Sequence, residues 1–204
     1  MIHSYLESIE NEVSLLSPDR HEDLIQKIAE YVVEENKNGE KAQLHFICTH
    51  NSRRSQFAQT WCAFTQAWLG LDVADSYSGG TEVTACNERT IAALGRAGFK
   101  IEKEGSDNPL YTITSEDDDT EVKLWSKLFD DEANPVRRFA AIMTCDEADQ
   151  NCPLIPGAAI RVPLTYTDPK YADDSDNELP AYDLTCKIIA TDMLRLFKKV
   201  KEMI

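Results

Sequence analysis

The spacing of apolar residues predicts a pair of helices at the start of the chain. Two sets of apolar residues recur at intervals of three or four positions: Tyr5, Ile9, Val13 and Leu16, then Leu24, Ile28, Val32 and Val33. This spacing places each set on one face of a helix. Between the two sets, Ser17-Pro18-Asp19 favours a turn. We therefore expect residues 1–40 to form a helical hairpin that precedes the main domain.

Beyond residue 40, short apolar runs alternate with helical patterns. Strands are predicted at 44–47, 73–77, 99–101, 140–143 and 159–162, and helices at 57–68 and 184–203. A further helix is expected between Asn87, a good N-cap, and Gly98, a good stop signal. Strands that alternate with helices are typical of a doubly wound sheet. Residues 41–204 are therefore predicted to form a flavodoxin-like α/β domain, a three-layer sandwich with a central four-stranded parallel sheet.

The segment from residue 105 to residue 135 has a different character. Alternating residues at 111–114 and 121–125 flank an acidic stretch at 115–120. This alternation predicts a small hairpin or a lid. The sequence leaves open whether this segment and residues 1–40 form a lid, form an interface or only pack against the main domain. One such interface would be a homodimer through the N-terminal helices.

Charge and cysteine content narrow the classes of function. The chain of 204 residues has a formal net charge of -15, which would repel nucleic acid and anionic membrane surfaces. No apolar run approaches the roughly 20 residues of a membrane span, and the acidic N-terminus does not resemble a signal peptide. Six cysteines in a chain of this length do not indicate a disulfide scaffold. We expect a cytoplasmic protein with reduced cysteines that binds anions only in a local pocket.

One such pocket is predicted where the first strand meets the following helix. The segment reads Cys48-Thr49-His50-Asn51-Ser52-Arg53-Arg54-Ser55. Five residues between cysteine and arginine allow the backbone to curl into a cup of N–H groups at a helix N-terminus, where an oxyanion fits. This field favours the Cys48 thiolate, the nucleophilic form. The alternative is a buried cysteine that ends a strand, followed by arginines on a solvated turn.

Each residue of this segment has an expected role. Arg54 can grip two oxygens of the anion with its planar guanidinium. Ser55 can hydrogen-bond the sulfur, and Asn51 can brace the loop. Thr49, His50 and Ser52 complete the predicted substrate-binding set with Arg53, although Arg53 itself is also expected to lie at the surface.

Two further segments follow later strands at the same rim of the sheet. Cys145 and Cys152 are separated by six residues in a polar loop, and such a pair can form a disulfide if the loop rearranges. A zinc site lacks further ligands nearby, while two unrelated structural cysteines remain an alternative. Asp168, before Pro169, could protonate a leaving oxygen, although Asp-Pro is also an ordinary turn signal. The other cysteines, Cys62, Cys86 and Cys186, are expected to be core residues.

These residues together resemble the low-molecular-weight protein tyrosine phosphatase family, and within it the thioredoxin-coupled arsenate reductases. The resemblance spans most of residues 42–170 and includes Ser78-Gly79-Gly80-Thr81-Glu82 and Asp168-Pro169-Lys170-Tyr171. It implies that Cys48 attacks arsenate while Arg54 stabilises the oxyanion and Asp168 protonates the departing oxygen. It also implies that Cys145 and then Cys152 carry the disulfide to thioredoxin or a similar dithiol, with no bound cofactor and no metal.

The sequence departs from this family at three positions. His50 stands where glycine is usual, and Arg53 replaces a frequent cysteine. Gln59 replaces a glutamate that helps some reductases bind potassium, so a potassium site is not expected. The runner-up function is a phosphatase that hydrolyses phosphomonoesters through a Cys48 phosphocysteine, with Cys145 and Cys152 idle or regulatory. A non-catalytic phosphate-binding module is a third possibility.

Overall fold

A computed structural model of the chain describes residues 2–12, 21–151 and 154–204. Six helices are described: α1 Ile2–Glu12, α2 Glu22–Lys37, α3 Arg54–Trp68, α4 Glu88–Ala97, α5 Asp146–Asn151 and α6 Glu178–Met203. Seven strands are described: β1 Ala42–Cys48, β2 Ala74–Gly80, β3 Lys100–Glu104, β4 Leu110–Thr114, β5 Glu121–Leu124, β6 Phe139–Met143 and β7 Ala158–Val162. A short 3-10 helix spans Pro169–Ala172. Within the described residues, no helix is long and apolar enough to cross a membrane.

The central sheet has four parallel strands in the order β2-β1-β6-β7, which confirms the predicted fold class. Its two central strands, β1 and β6, are almost wholly buried because both faces of the sheet are covered. On one face, Leu44 and Phe46 of β1 join the main core with α2, α3 and α6. On the other, Ile47 packs with Met143 and with Ala148 of α5.

The predicted strand near residue 99 forms, but it does not enter the central sheet. It is β3, which pairs antiparallel with β4, and β4 pairs with β5 to make a separate three-stranded sheet. The sequence of β3, Lys100–Glu104, is too polar for a strand that is buried on both faces. The hairpin predicted at 111–125 is present as β4 and β5.

Two predicted helix boundaries of α4 are confirmed by their geometry. The Asn87 side chain accepts a hydrogen bond from the Arg89 N–H at 2.9 Å, which satisfies a free donor of the first turn. Gly98 follows the helix with φ of 110°, a left-handed conformation that costs glycine little. These two residues therefore fix where α4, which connects β2 to β3, begins and ends.

The N-terminal helices pack on α6 and share the main core. Leu6 and Ile9 of α1 and Ile28 of α2 are fully buried in it. Glu22 pairs with Arg195 at 2.6 Å, and the buried His21 ring nitrogen lies 2.7 Å from an Asp192 oxygen. The turn predicted at Ser17-Pro18-Asp19 lies outside the described residues. The predicted division of the chain into an N-terminal extension, residues 1–40, and a main domain, residues 41–204, stays a prediction.

Candidate active site

Cys48 is the last residue of β1, at the rim where the parallel strands end. Its side chain is buried, and its Sγ lies 3.1 Å from the Ser55 hydroxyl oxygen, a distance at which either atom can donate. Ser55 is the second residue of α3. Residues 48–55, which we call the anion loop, therefore connect the strand end to the helix N-terminus and return to the sulfur.

Asn51 holds the anion loop from within. Its backbone has φ of 46°, in the left-handed region that asparagine tolerates better than most residues. Its side-chain N–H donates to the Ser55 hydroxyl at 2.9 Å, and its side-chain oxygen accepts from the Lys127 N–H at 3.0 Å. The Gln56 side chain donates to the Asn51 carbonyl at 2.7 Å. The side-chain N–H, the side-chain oxygen and the backbone carbonyl of Asn51 therefore all make hydrogen bonds that stabilise the loop.

Gly80, at the end of β2, lies directly against the anion loop. A Cβ atom built there would be 2.7 Å from the Asn51 nitrogen and 2.7 Å from the Thr49 oxygen. Such distances are shorter than real side chains tolerate, so glycine is required by space rather than by its backbone angles. The glycine at the end of the Ser78-Gly79-Gly80 segment therefore lets the backbone at the end of β2 lie close to the backbone of the anion loop.

The outer part of the anion loop is fixed by neighbouring segments. The Ser52 hydroxyl donates to the Ala85 carbonyl at 2.7 Å, and the His50 carbonyl accepts from the Ser126 hydroxyl at 2.8 Å. The His50 ring is about two-fifths exposed and lies 3.3 Å from a Glu82 oxygen. These contacts support the loop, and the roles of His50 and Ser52 toward a substrate stay predictions.

Arg54 connects the anion loop to the segment that follows β7. Its Nη2 donates to Asp168 Oδ2 at 2.6 Å, and its Nη1 donates to the Tyr166 carbonyl at 3.1 Å. Its Nε is buried and has no hydrogen-bond partner among the described residues. A buried donor without a partner is costly, so a hydrogen-bond acceptor next to this nitrogen would be stabilising.

Arg53 differs from its expected place at the surface. Its side chain is only 13% exposed, and its Nε donates to the Tyr182 hydroxyl at 2.8 Å. One terminal nitrogen lies 3.4 Å from an Asp173 oxygen. The sequence could not reveal this because Tyr182 lies 129 positions away, on α6.

Cys145 lies beside the anion loop, after the end of β6. It is buried, and its Sγ is 3.5 Å from the Thr49 hydroxyl oxygen, which in turn donates to Glu147 at 3.1 Å. Cys48 and Cys145 belong to the same apolar cluster on one face of the sheet. Cys152, the other cysteine of the predicted pair, lies outside the described residues.

The three remaining cysteines are buried core residues, as predicted. Burial raises the pKa of the Cys62, Cys86 and Cys186 thiols well above the usual range, which keeps them protonated. Cys186 accepts a hydrogen bond from the Trp61 indole N–H at 3.2 Å. Cys86 additionally borders a cavity of about 530 Å³ beside the anion loop, next to Arg53.

Several residues of the site escape sequence reasoning. Tyr166, Tyr182, Glu147 and Lys127 reach the anion loop or its arginines from distant parts of the chain. Only Gly80 carries a local signal, because a glycine pair directly after a strand indicates close backbone approach. The other contacts depend on how later segments pack on the rim.

Comparisons with known proteins agree with this geometry. No family model matches the chain. The arsenate reductase of Halalkalibacterium halodurans is 30% identical over 138 residues, which cover 68% of this chain and 81% of the relative. Arsenate reductase 2 of Staphylococcus epidermidis is 28% identical over 130 residues, which cover 64% of this chain and 80% of the relative.

The chain belongs to the arsenate reductase family. A crystal structure of a low-molecular-weight phosphotyrosine phosphatase from Vibrio cholerae has the same fold, with a TM-score of 0.51, 14% identity, and coverage of 79% of this chain and 98% of that one. The arsenate reductase family member described here therefore has the fold of that phosphatase class, as the motifs predict. Its N-terminal helices α1 and α2 contribute buried residues to its main core.

Proposed function

We propose that this chain reduces arsenate to arsenite through a relay of three cysteines, Cys48, Cys145 and Cys152. The observation that carries the proposal is the pair of buried thiols at the anion loop. Cys48 ends β1, and Cys145 follows the neighbouring strand β6 and lies 3.5 Å from the hydroxyl of Thr49, the next residue after Cys48. The curated relatives, which are arsenate reductases, support this substrate.

In the first step, arsenate binds in the anion loop, held by its backbone N–H groups and by Arg54. Asp168, held beside Arg54 at 2.6 Å, is the proposed proton donor of this step. The Cys48 thiolate attacks arsenic while an arsenic–oxygen bond breaks, and the departing oxygen takes the Asp168 proton and leaves as water. The product is a Cys48 thioester of arsenate, in which arsenic is still As(V).

In the second step, the Cys145 thiolate attacks the Cys48 sulfur. A sulfur–sulfur bond forms and the sulfur–arsenic bond breaks, with its electron pair left on arsenic. Arsenic thereby becomes As(III) and leaves as arsenite after taking a proton from solvent. The two electrons come from the two thiolates, which are now a disulfide between Cys48 and Cys145.

In the third step, the Cys152 thiolate attacks the Cys145 sulfur and releases the Cys48 thiolate. The resulting disulfide between Cys145 and Cys152 is reduced by an external dithiol of the thioredoxin class in ordinary thiol exchange. The segment that carries Cys152 joins the short helix α5, at Asp146–Asn151, to the loop before β7. A rigid helix such as α5 between two cysteines six residues apart would keep their sulfurs too far apart for a disulfide, so the proposed third step includes a rearrangement of α5.

Phosphomonoester hydrolysis is the second candidate function. Cys48, Arg54 and Asp168 form a complete nucleophile, anion clamp and acid, and the Arg54–Asp168 contact does not involve Cys145. The same cup would accept phosphate, which has the shape and charge of arsenate. Water would then hydrolyse a phosphocysteine at Cys48. The buried Cys145 beside Thr49 has no role in this reaction, which is why reduction is preferred.

The two functions separate in a paired assay of thioredoxin-dependent arsenate reduction and p-nitrophenyl phosphate hydrolysis. Cys48→Ser should lower any activity that is present by about 1,000-fold or more, because both reactions begin at its sulfur. Cys145→Ser should abolish arsenate turnover and leave any phosphate hydrolysis within about threefold of wild type. Cys186→Ser, a buried cysteine on α6, is the matched control and should keep wild-type rates.

A measurement without external reductant tests the relay directly. Wild-type chain mixed with excess arsenate should release one arsenite per chain and then stop. Undiminished arsenate turnover by Cys145→Ser would rule out the relay. Vigorous phosphate hydrolysis with no arsenite release would establish the phosphatase instead.

A further inference from the structure

The two consecutive arginines at the start of α3 face different partners. Arg54 turns to Asp168 and to the Tyr166 carbonyl. Arg53, which precedes the first residue of α3, turns toward α6 and Asp173.

Arg53, Tyr182 and Asp173 form a closed set of contacts. The Arg53 Nε donates to the Tyr182 hydroxyl at 2.8 Å, and that hydroxyl donates to Asp173 Oδ1 at 2.9 Å. The Arg53 Nη2 lies 3.4 Å from Asp173 Oδ2, which closes the triangle. Burial raises the pKa of Tyr182 to about 12, so its hydroxyl remains a donor at neutral pH.

The same contacts hold the segment that carries Asp168. Residues 168–174, which we call the acid segment, leave the rim after β7 and contain the 3-10 helix Pro169–Ala172. At its first residue, Asp168 pairs with Arg54 at 2.6 Å and lies 4.0 Å from the Arg53 Nε. Near its other end, Asp173 pairs with Arg53. The two arginines thus hold the acid segment at two points five residues apart.

A third arginine adds to the outer end of the acid segment. Arg89 of α4 lies 2.6 Å from an Asp174 oxygen, 3.9 Å from Asp173 and 2.7 Å from Glu178. The side chains of these ion pairs are more exposed than that of Arg53, and exposed ion pairs contribute little to the stability of a fold. At the outer end of the acid segment, Arg53 is therefore the better shielded of the two arginines, at 13% exposure against 34% for Arg89.

We propose that Arg53 is a positioning residue, which acts with Tyr182 and Asp173 to hold the Asp168 carboxyl over the anion loop. The inference rests on the proposed function, in which Asp168 is the acid. It replaces the predicted role of Arg53 as a substrate ligand, because two of its nitrogens are already committed to Tyr182 and Asp173. A substrate oxyanion that used either of these two nitrogens would have to compete with Tyr182 or Asp173.

The test compares Arg53→Met with a matched control, Arg96→Met, which removes another arginine bound to α6, through Asp183 at 2.6 Å. If Arg53 positions the acid, Arg53→Met should lower the kcat of arsenate reduction by about 10- to 100-fold, a part of the full effect of general acid catalysis. The affinity for sulfate, an unreactive oxyanion, should change by less than about threefold, because Arg53 does not bind it. Arg96→Met should change neither quantity.

A double variant separates positioning from other effects. In an Asp168→Asn background the acid is already absent, so adding Arg53→Met should lower kcat by less than about twofold. A full further loss there would show that Arg53 acts by another route. A weakened sulfate affinity in Arg53→Met would make it a substrate ligand and overturn the inference.

Hydrogen exchange tests the inference separately from turnover. The backbone N–H groups of Lys170 and Asp173 are hydrogen-bonded within the acid segment, to Asp168 and Lys170 respectively. In Arg53→Met they should exchange at least about tenfold faster than in wild type or Arg96→Met. Unchanged exchange overturns the inference even if wild type reduces arsenate. Faster exchange in a chain that does not reduce arsenate would contradict the proposed function and leave the positioning of the segment established.

Discussion

Arg54 and Asp168 form an ion pair at 2.6 Å between residues that are 114 positions apart in the chain. The pair joins the proposed anion clamp to the proposed acid. Asp168 also accepts the Lys170 N–H at 3.0 Å, so its carboxyl is oriented from both sides. An incoming oxyanion must compete with Asp168 for the guanidinium.

This competition predicts opposite effects of Asp168→Asn on binding and on turnover. Removal of the carboxylate charge frees Arg54 and removes repulsion of the anion, so sulfate should bind about 3- to 10-fold more tightly. Arsenate turnover should fall by about 100-fold or more, because the leaving oxygen loses its proton donor. Titration calorimetry with sulfate and the coupled arsenate assay measure the two effects. Weaker sulfate binding would show that Asp168 organises the cup rather than competing for it.

Gly80→Ala should damage the anion loop through space alone. The added methyl group would meet the Asn51 nitrogen and the Thr49 oxygen at 2.7 Å, so the loop must shift. We expect a loss of about 1–3 kcal/mol in the free energy of unfolding and at least about tenfold weaker sulfate binding. Gly95→Ala is the control, since it lies within α4 with its nearest contact at 3.6 Å and should be neutral or slightly stabilising. Chemical denaturation and calorimetry report both quantities.

His45 should make the folded state sensitive to acid. It is fully buried on β1, and neither ring nitrogen has a hydrogen-bond partner among the described residues. Burial, with a smaller effect of the Lys127 charge, lowers its pKa from 6.5 to about 3. Below pH 6.5 the unfolded chain binds a proton that folded His45 does not, so stability is lost as the pH falls toward about 3.

His45 should make the free energy of unfolding fall by at most about 1.4 kcal/mol per pH unit between about pH 6 and pH 4. Urea denaturation across this range measures it. His45→Leu should flatten the acid side of the stability curve, whereas His3→Gln, which replaces a side chain on α1 that is 41% exposed, should not. Equal curves for wild type and His45→Leu would contradict the prediction.

Lys127 should cost the folded state free energy at neutral pH. Its side chain is buried, its Nζ lies 3.9 Å from the centre of the Trp125 ring, and no carboxylate within the described residues lies within 4.0 Å of it. Burial lowers its pKa to about 8. Lys127→Met should therefore raise the free energy of unfolding at pH 7 by about 1–3 kcal/mol.

This gain should shrink with pH in a defined window. Below pH 8 the lysine is charged in both states and the penalty is complete. From pH 8 to about 10.5 the folded state loses the proton first, so the wild type recovers stability and the difference from Lys127→Met narrows. Lys123→Met, an exposed lysine on β5, should change stability by less than about 0.5 kcal/mol at any pH.

Local pattern alone predicted most elements of the fold. The apolar runs of β1 and β6 and the caps of α4 are signals within a few residues, so they survive without tertiary information. The placement of β3 was different. Its residues form a strand as predicted, but the strand is too polar to be buried in the central sheet and pairs with β4 instead. The local sequence does not show which strand it pairs with.

The anion loop was also predictable, because its chemistry is encoded in eight consecutive residues from Cys48 to Ser55. Their spacing and their place after a strand are enough to predict a cup with a cysteine and an arginine. The expected surface position of Arg53 was wrong for a corresponding reason: its partners Tyr182 and Asp173 lie far along the chain, and a side chain's partners cannot be read from its neighbours.

The sequence by itself therefore determined most of the strand and helix pattern. It also supplied the candidate nucleophile, its arginine and the candidate relay cysteines, whose roles stay predictions. Only the tertiary structure decided that Asp168 meets Arg54, that Cys145 lies beside Thr49, and that the anion loop is the segment that approaches Gly80. Hydrophobic periodicity is a local property of the chain. The contacts at the rim join residues 29 to 114 positions apart, and they exist only once parallel strands bring their ends together.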